Sequence, residues 1–297
     1  MHPIYKPKIN LVLRTVLKPF AQLIPQKYHF PVTGIIRVNL PEGKRIALAC
    51  NPTSYQAKVL FWEGYRGFEY DLVKIFIELV KQASVFLDVG ANIGYYSLLA
   101  SAFNPKLEIV SFEPLPAAYR YLRTNLYNNH FINVTPQRMA LSDKGGTAQF
   151  FVSKNPKFLD IDDHLTSTGS LDEDQATRTN VTESFEVKTE TLDAYVERYL
   201  WDKVDIIKLD TEASEHFVLR GAENVLTKHR PIVFCEVLPG KIEQDLEVIF
   251  RKHGYQMFRA EAGRLVPVDH LVHSKATSND HVMVHPDALH KLESFIG

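Results

Sequence analysis

The stretch DVGANIGYYSLLAS, Asp88 to Ser101, gathers residue types that can build a ligand site. It follows a buried-type run, SVFLDV, and opens a helix-like stretch. Gly90 and Gly94 let the backbone turn tightly and let a ligand approach it closely. The helix that follows offers unpaired backbone N–H groups at its start. A turn of this kind at the carboxyl end of a parallel strand is the general design of a nucleotide-type site.

The spacing narrows the ligand. The dinucleotide pattern G-x-G-x-x-G is absent, because the glycines stand as Gly90-x-x-x-Gly94. Asp88 precedes the first by two residues. A pyrophosphate prefers N–H groups and positive charge, so Asp88 weakens a dinucleotide and helps a ligand carrying an ammonium. S-adenosylmethionine fits: an amino-acid end, a sulfonium, an adenosine and no phosphate. Asp88 can equally be a strand-end carboxylate that accepts loop N–H bonds. Glu113, 25 residues further on in SFEP, closes the next strand and is placed to accept both hydroxyls of a ribose. In MALSDKGG, Ala140 and Leu141 beside Ser142 and Asp143 can flank an adenine, or form an ordinary turn.

A second cluster follows VDIIKL. Asp210, Glu212, Glu215 and His216 gather at a strand's carboxyl edge, and Glu236, late in IVFCEV, can join them. Clustered carboxylates raise one another's pKa and suit general-base work. Asp210 is the candidate base and Glu212 an orienting group, with His216 and Glu236 as further catalytic candidates. His216 can instead cap or pack on its helix, and Lys208 reads as a sheet-edge or ion-paired lysine. No spacing requires a metal.

These residues need a scaffold. SVFLDV (84–89), LEIVSF (107–112), VDIIKL (204–209) and PIVFCEV (231–237) are short β-branched runs. Helix-like stretches at 93–103, 116–128, 214–227 and 241–253 separate them. The alternation predicts right-handed βαβ crossovers and a mostly parallel sheet covered on both faces. Residues 160–197 interrupt it with eleven acids and two Lys/Arg. A loop of that length suggests a lid or substrate loop over 160–184, or a merely solvated acidic insertion, with TAQFFV and FEVKTE as strands at its base.

The chain has 297 residues, 34 Lys+Arg against 35 Asp+Glu, and 45% hydrophobic residues. That excludes a disordered chain, a disulfide scaffold and a strongly basic nucleic-acid binder. No apolar run reaches the ~20 residues that span a bilayer. Cys50 and Cys235 belong to no metal or redox motif, and two idle thiols fit a cytoplasmic protein. The first 41 residues contain no acid. In them Ile9, Leu13, Val16, Phe20 and Ile24 recur at helical spacing. A basic amphipathic helix over 8–24 could lie on an anionic membrane surface, or pack on the domain or on a second subunit. We divide the chain into an extension, 1–58, and a main domain, 59–297.

FLDVGANIGYYSLLAS, VSFEPLPAAYRYLRTNLYNN, MALSDKGG, TLDAYV, VDIIKLDTEASEHFVLRGA and RPIVFCEV occur in this order over about residues 65–240. The ordered set resembles the FkbM family of S-adenosylmethionine-dependent methyltransferases. SNDHVMVHP is similar to the family's closing strand. The resemblance implies a class I, Rossmann-like α/β fold, doubly wound, with seven strands in the order 3-2-1-4-5-7-6, the last antiparallel, behind an N-terminal helical extension. It implies cofactor contacts at Asp88, Gly90, Asn92, Gly94, Glu113 and Asp143, and marks Asp210, Glu212 and Glu215 as the family's acidic motif. The implied activity is O-methylation of a sugar, polyketide or related hydroxyl, with a small-molecule or glycan acceptor. One departure stands out: Ala213 and Ser214 replace a usual glycine and alanine. N-methyl transfer, a nicotinamide-dependent oxidoreductase and a non-catalytic binding module on the same fold are the alternatives.

Overall fold

The short apolar runs are too hydrophobic to stay wet on either face, so they form a sheet that helices cover on both sides. The computed structural model describes every residue except 1–2, 155, 159–162, 166–168, 172–181, 241 and 272–278. In chain order it begins with helix α1 (Pro7–Leu17), the hairpin β1 (Gly34–Asn39) and β2 (Arg45–Cys50), and helices α2 (Tyr55–Glu63) and α3 (Tyr70–Val80). There follow β3 (Val85–Val89), α4 (Tyr95–Phe103), β4 (Glu108–Phe112), α5 (Pro116–Asn129) and β5 (Val134–Gln137). Then come β6 (Ala140–Leu141), β7 (Gly146–Ser153), β8 (Gly169–Ser170), β9 (Thr182–Glu190) and α6 (Leu192–Tyr199). The remainder is β10 (Ile206–Leu209), α7 (Glu215–Arg220), β11 (Ile232–Glu236), α8 (Glu243–Lys252), β12 (Gln256–Glu261), β13 (Arg264–Val268) and β14 (Asp280–Val284).

The main sheet runs β13-β12-β14-β11-β10-β3-β4-β5. β3, β4, β5, β10 and β11 are parallel, and β14 lies antiparallel between β11 and β12. From β5 to β12 this is the expected 3-2-1-4-5-7-6 order with its antiparallel strand. The expected seven strands are corrected to eight: β13 pairs with β12 at the edge. The turn between them is Ala262-Gly263, both at positive φ (50° and 72°), the conformation that two-residue hairpins favour. Two cores flank the sheet. Phe86 and Phe234 belong to one, with α3 and α4; Leu87, Ile207 and Val233 belong to the other, with α6, α7 and α8.

The N-terminal hairpin is joined to the main sheet's helices by amides. Asn125 and Asn129, one turn apart on α5, face the edge of β2. Asn129 accepts from Ala47 N (2.8 Å) and donates to Ala47 O (2.7 Å). Asn125 accepts from Ala49 N (2.6 Å) and also donates to Ile93 O (2.8 Å) in the glycine turn. Two side chains thus do for β2 what a neighbouring strand would. The second sheet, β6-β9-β7-β8, fills the interruption between β5 and α6. TAQFFV and FEVKTE lie in its long antiparallel pair, β7 and β9.

Candidate functional site

The carboxyl ends of β3, β4 and β10 meet in one crevice. Gly90 N and Ala91 N both donate to Phe112 O, each at 3.0 Å, which folds the glycine turn onto the end of β4. Gly90 has φ +82°, and a Cβ there would stand 1.8 Å from the Asp210 carbonyl oxygen. Only glycine lets the turn press this closely on β10. Gly94, at φ +92°, starts α4, and a Cβ there would meet the Leu122 side chain at 2.5 Å.

Glu113 joins two elements. Its carboxylate accepts from Asn92 N (2.8 Å) and Leu115 N (2.7 Å) while lining the crevice. Burial pushes its carboxyl up to about 7, against the pull of those two N–H groups. Asp88 accepts from Ser97 N (3.1 Å) and Ser97 Oγ (2.5 Å), and Ser97 Oγ lies 2.6 Å from Ser111 Oγ. Asp88 therefore fastens α4 to the sheet as it lines the crevice. Burial pushes it up to about 6, with the Ser97 hydroxyl acting the other way.

The crevice opens into a cavity of about 450 Å³. Its lining includes Gly90, Asn92, Glu113, Met139, Ala140 and Leu141, together with Asp210 and the rings of Tyr55, Phe68, Tyr95, Phe150 and His164. Ser142 and Asp143 sit just past the lining. Ser142 donates to Asp143 at 3.3 Å, and its carbonyl packs where a Gly221 Cβ would be 2.2 Å away. Part of the acidic 160–184 segment falls outside the described residues. Its described residues His164, Leu165, Gly169 and Leu171 form cavity wall. Leu165 N donates to Thr53 Oγ1 (2.7 Å), which ties that wall to the chain before α2.

Asp210, Glu212 and Glu236 are brought together, each offering an oxygen within 4.8 Å of the others. Of the three, only Asp210 lines the cavity. Glu236 is pushed up to about 10 by burial and by Asp210 beside it. Glu215 is buried, accepts from Thr211 N (2.6 Å) and is pushed up to about 7 by burial. His216 is not brought into the lining; it is buried on α7, its ring 4.0 Å from that of Phe217.

The cation beside this cluster is Lys208. It is 1% exposed, in the middle strand of the sheet rather than at an edge, with Nζ 3.4 Å from Asp210 and 5.2 Å from the Tyr96 ring centre. Burial alone would lower its pKa; Asp210, Glu69, Asp280 and Glu236 together outweigh burial and hold the ammonium charged. Glu69, which the motifs did not mark, caps α3 at φ 46° and accepts from Tyr96 Oη at 2.5 Å. Burial pushes it up to about 8, with Lys208 acting against. A lysine inside the run IIKL was the available signal, since an ammonium at that depth requires carboxylates around it.

At the departure the turn carries two side chains in the left-handed region. Glu212 and Ala213 take φ +52° and +69°, and Ala213 packs fully buried in the second core. Ser214 gains a role: its hydroxyl lies 2.9 Å from Ser170 Oγ and accepts from Leu171 N (3.3 Å), which joins β8 to the acidic turn.

This sheet order, with a glycine turn and an acid at successive strand ends, defines a class I methyltransferase fold. Residues 88–257 match the model of the methyltransferase FkbM domain, and the chain belongs to that family. It is similar to AMB antimetabolite synthetase AmbE of Pseudomonas aeruginosa (26% identity over 75% of this chain and 12% of that protein). It is also similar to hexuronic acid methyltransferase AglP of Haloferax volcanii (27%, 53% and 58%). A third relative is 31-O-demethyl-FK506 methyltransferase FkbM of Streptomyces tacrolimicus (26%, 73% and 88%). The chain thus spans less than two thirds of the first two proteins. Among the described residues no helix is long and apolar enough to cross a membrane.

Proposed function

We propose that this chain is an S-adenosylmethionine-dependent O-methyltransferase acting on a hydroxyl of a sugar, polyketide or related metabolite. The observation that carries the reading is that one cavity is lined by Glu113, Asp210 and several aromatic side chains together. Its polar groups suit a phosphate-free, cationic adenosyl ligand. Asp88, Glu113 and Asp210 all line it, and its one lysine, Lys208, is engaged by carboxylates and is not available to a pyrophosphate. One relative is named for methylation at an oxygen of FK506 and another for methylation of a hexuronic acid, which supports an oxygen acceptor on a polyketide or sugar-type molecule.

When bound, S-adenosylmethionine supplies a methyl on a sulfonium, which leaves as a neutral thioether with the carbon–sulfur pair. Glu113 would hold the ribose, and Leu141 with Met139 would flank the adenine. The acceptor oxygen needs to lie about 3–3.5 Å from the methyl carbon, and its proton passes to a carboxylate. Asp210 is the base we assign, because it alone of the acidic trio reaches the cavity. Glu212 lies beside it as the orienting group. Glu236 does not line the cavity and is given no part in taking the proton.

Calorimetry tests the cofactor. S-adenosylhomocysteine is expected to bind the folded chain and NADH not to; the opposite result rejects the reading. Glu113→Ala should weaken that binding by about 1–3 kcal/mol, the worth of hydrogen bonds to a charged acceptor. The affinity should also depend on pH. A carboxylate that accepts two hydroxyls must be ionised, and Glu113 starts from about 7. Binding therefore releases a proton and tightens as pH rises from 6 to 8. Titration in two buffers of different ionisation heat reads that proton. Asp210→Asn should leave S-adenosylhomocysteine affinity within about twofold yet slow methyl transfer by roughly 10²–10⁴, the usual contribution of a positioned base. Radiolabelled methyl transfer to a panel of glycosides and polyketides measures it, and undiminished transfer removes Asp210 as the base.

A further inference from the structure

The N-terminal segment buries two polar side chains beside Leu17 and Ala21 and leaves a run of apolar ones outside. The face of α1 turned to the protein carries Asn10 and Arg14, both buried. Asn10 donates to Ile4 O and Pro31 O (3.0 Å each) and accepts from Thr33 N (3.1 Å). Arg14 donates to Ile35 O at 2.8 Å. The outer face carries Ile9, Leu11, Val12 and Val16, and the short turns after it add Phe20, Leu23 and Tyr28. All are exposed, Val12 and Val16 at 62% and Leu23 at 80%. Among the described residues these seven are half of the fourteen exposed large hydrophobics, and they lie within 20 residues of one another. Such concentration marks an interaction surface, where scattered apolar residues would not.

Charge identifies the occupant. No acid occurs before Glu42, and Lys6, Lys8 and Lys27 are exposed around the apolar strip. Lys18 turns inward and donates to Phe61 O. A second copy meeting this surface about a two-fold axis would bring like lysines together. An anionic bilayer meets both parts at once: apolar side chains enter the acyl boundary and the lysines lie at the headgroups.

We propose that residues 6–28 dock the protein on an anionic phospholipid membrane surface, lying in the interface without crossing it. The root of this segment reaches the candidate site. Tyr5 packs edge-on against Phe158 at 5.3 Å, and Phe158 O lies 2.9 Å from the ring nitrogen of His164, a cavity-lining residue.

The test is co-sedimentation of the full chain with vesicles. Phosphatidylcholine containing 30% phosphatidylglycerol should bind it about a hundredfold more tightly than phosphatidylcholine alone, given three lysines at the interface. Binding should fall as salt rises. Val12→Glu/Val16→Glu should abolish sedimentation while leaving the circular dichroism and melting temperature unchanged, since both side chains are exposed. Lys6→Glu/Lys8→Glu should remove most of the preference for anionic vesicles. Failure of the wild-type chain to bind anionic vesicles overturns the proposal. So does a wild-type dimer that ignores vesicles and that Val12→Glu/Val16→Glu turns into a monomer, because the strip then covers a second copy.

Discussion

A Lys208→Met chain is expected to lose about 3–5 kcal/mol of stability, the cost of removing one partner from a buried charge cluster. Methionine matches the stem and fits beside Tyr96, so the deficit reports the missing ammonium and not a cavity. The pH dependence separates these causes. Without Lys208 the carboxyls of Glu69 and Glu236 lose a cation that acts against their burial, and their folded pKa values rise further above the unfolded ones. Acids shifted in that direction favour the folded chain at low pH, and the contribution is lost as pH rises through the folded values. The deficit should therefore be larger at pH 8 than at pH 5. Urea unfolding at the two pH values measures it, and an equal deficit at both would refute the electrostatic account. Glu69→Gln on top of Lys208→Met should recover part of the loss, because neighbouring charges are not additive.

Gly90→Ala is expected to be as severe. The new methyl would sit 1.8 Å from the Asp210 carbonyl oxygen, and that atom is backbone just past β10, where Asp210 N is held by Val89 O of β3. Positive φ adds a strain of about 1–2 kcal/mol, and forced separation of packed backbone typically costs a further 1–3 kcal/mol. At that cost the melting temperature should fall by roughly 5–15 °C. Whatever folded protein remains should bind S-adenosylhomocysteine at least tenfold more weakly, since the turn can reopen only by moving away from Asp210. Melting temperature and calorimetry within a factor of two of wild type would show that the turn has room to spare. Gly94→Ala gives the comparison: its methyl meets the end of a flexible leucine, so the contact is cheaper to relieve and the φ strain remains.

Much of the scaffold was legible because it depends on neighbours in sequence. The runs at 84–89, 107–112, 204–209 and 231–237 became β3, β4, β10 and β11 within two residues at either end, since β-branched apolar stretches have few alternatives to a buried strand. At Asp205 the backbone still bonds to both neighbours, its N–H to Val85 O (3.1 Å) and its carbonyl accepting from Ile232 N (2.9 Å), while the side chain accepts from Ser84 N (2.8 Å) ahead of β3. Residues 59–82 (VLFWEGYRGFEYDLVKIFIELVKQ) read in the sequence as a turn followed by an amphipathic helix. The turn contains the end of α2, which begins at Tyr55 under the Ser54 cap, with Ala57 N 3.2 Å from Ser54 Oγ. The hairpin of β12 and β13 escaped notice because its turn is Ala-Gly, with the alanine in a conformation that side chains seldom adopt.

By itself the sequence determined the alternation of strands and helices, the strand ends at which Asp88, Glu113 and Asp210 fall, and the need for glycine at 90 and 94. These follow from periodicity and backbone sterics, which act over a few residues. The tertiary structure decided that Asp88 is a fastening for α4 as well as a crevice wall, that Glu69 reaches Lys208 across 139 positions of chain, and that His216 stays outside the cavity. It also left Ile9, Leu11, Val12 and Val16 of α1 exposed, while Asn10 and Arg14 bond to backbone carbonyls on the inner side beside the core-packed Leu17. Local pattern cannot fix such outcomes, since the partner that satisfies a buried polar group is supplied by whichever distant segment the fold brings beside it.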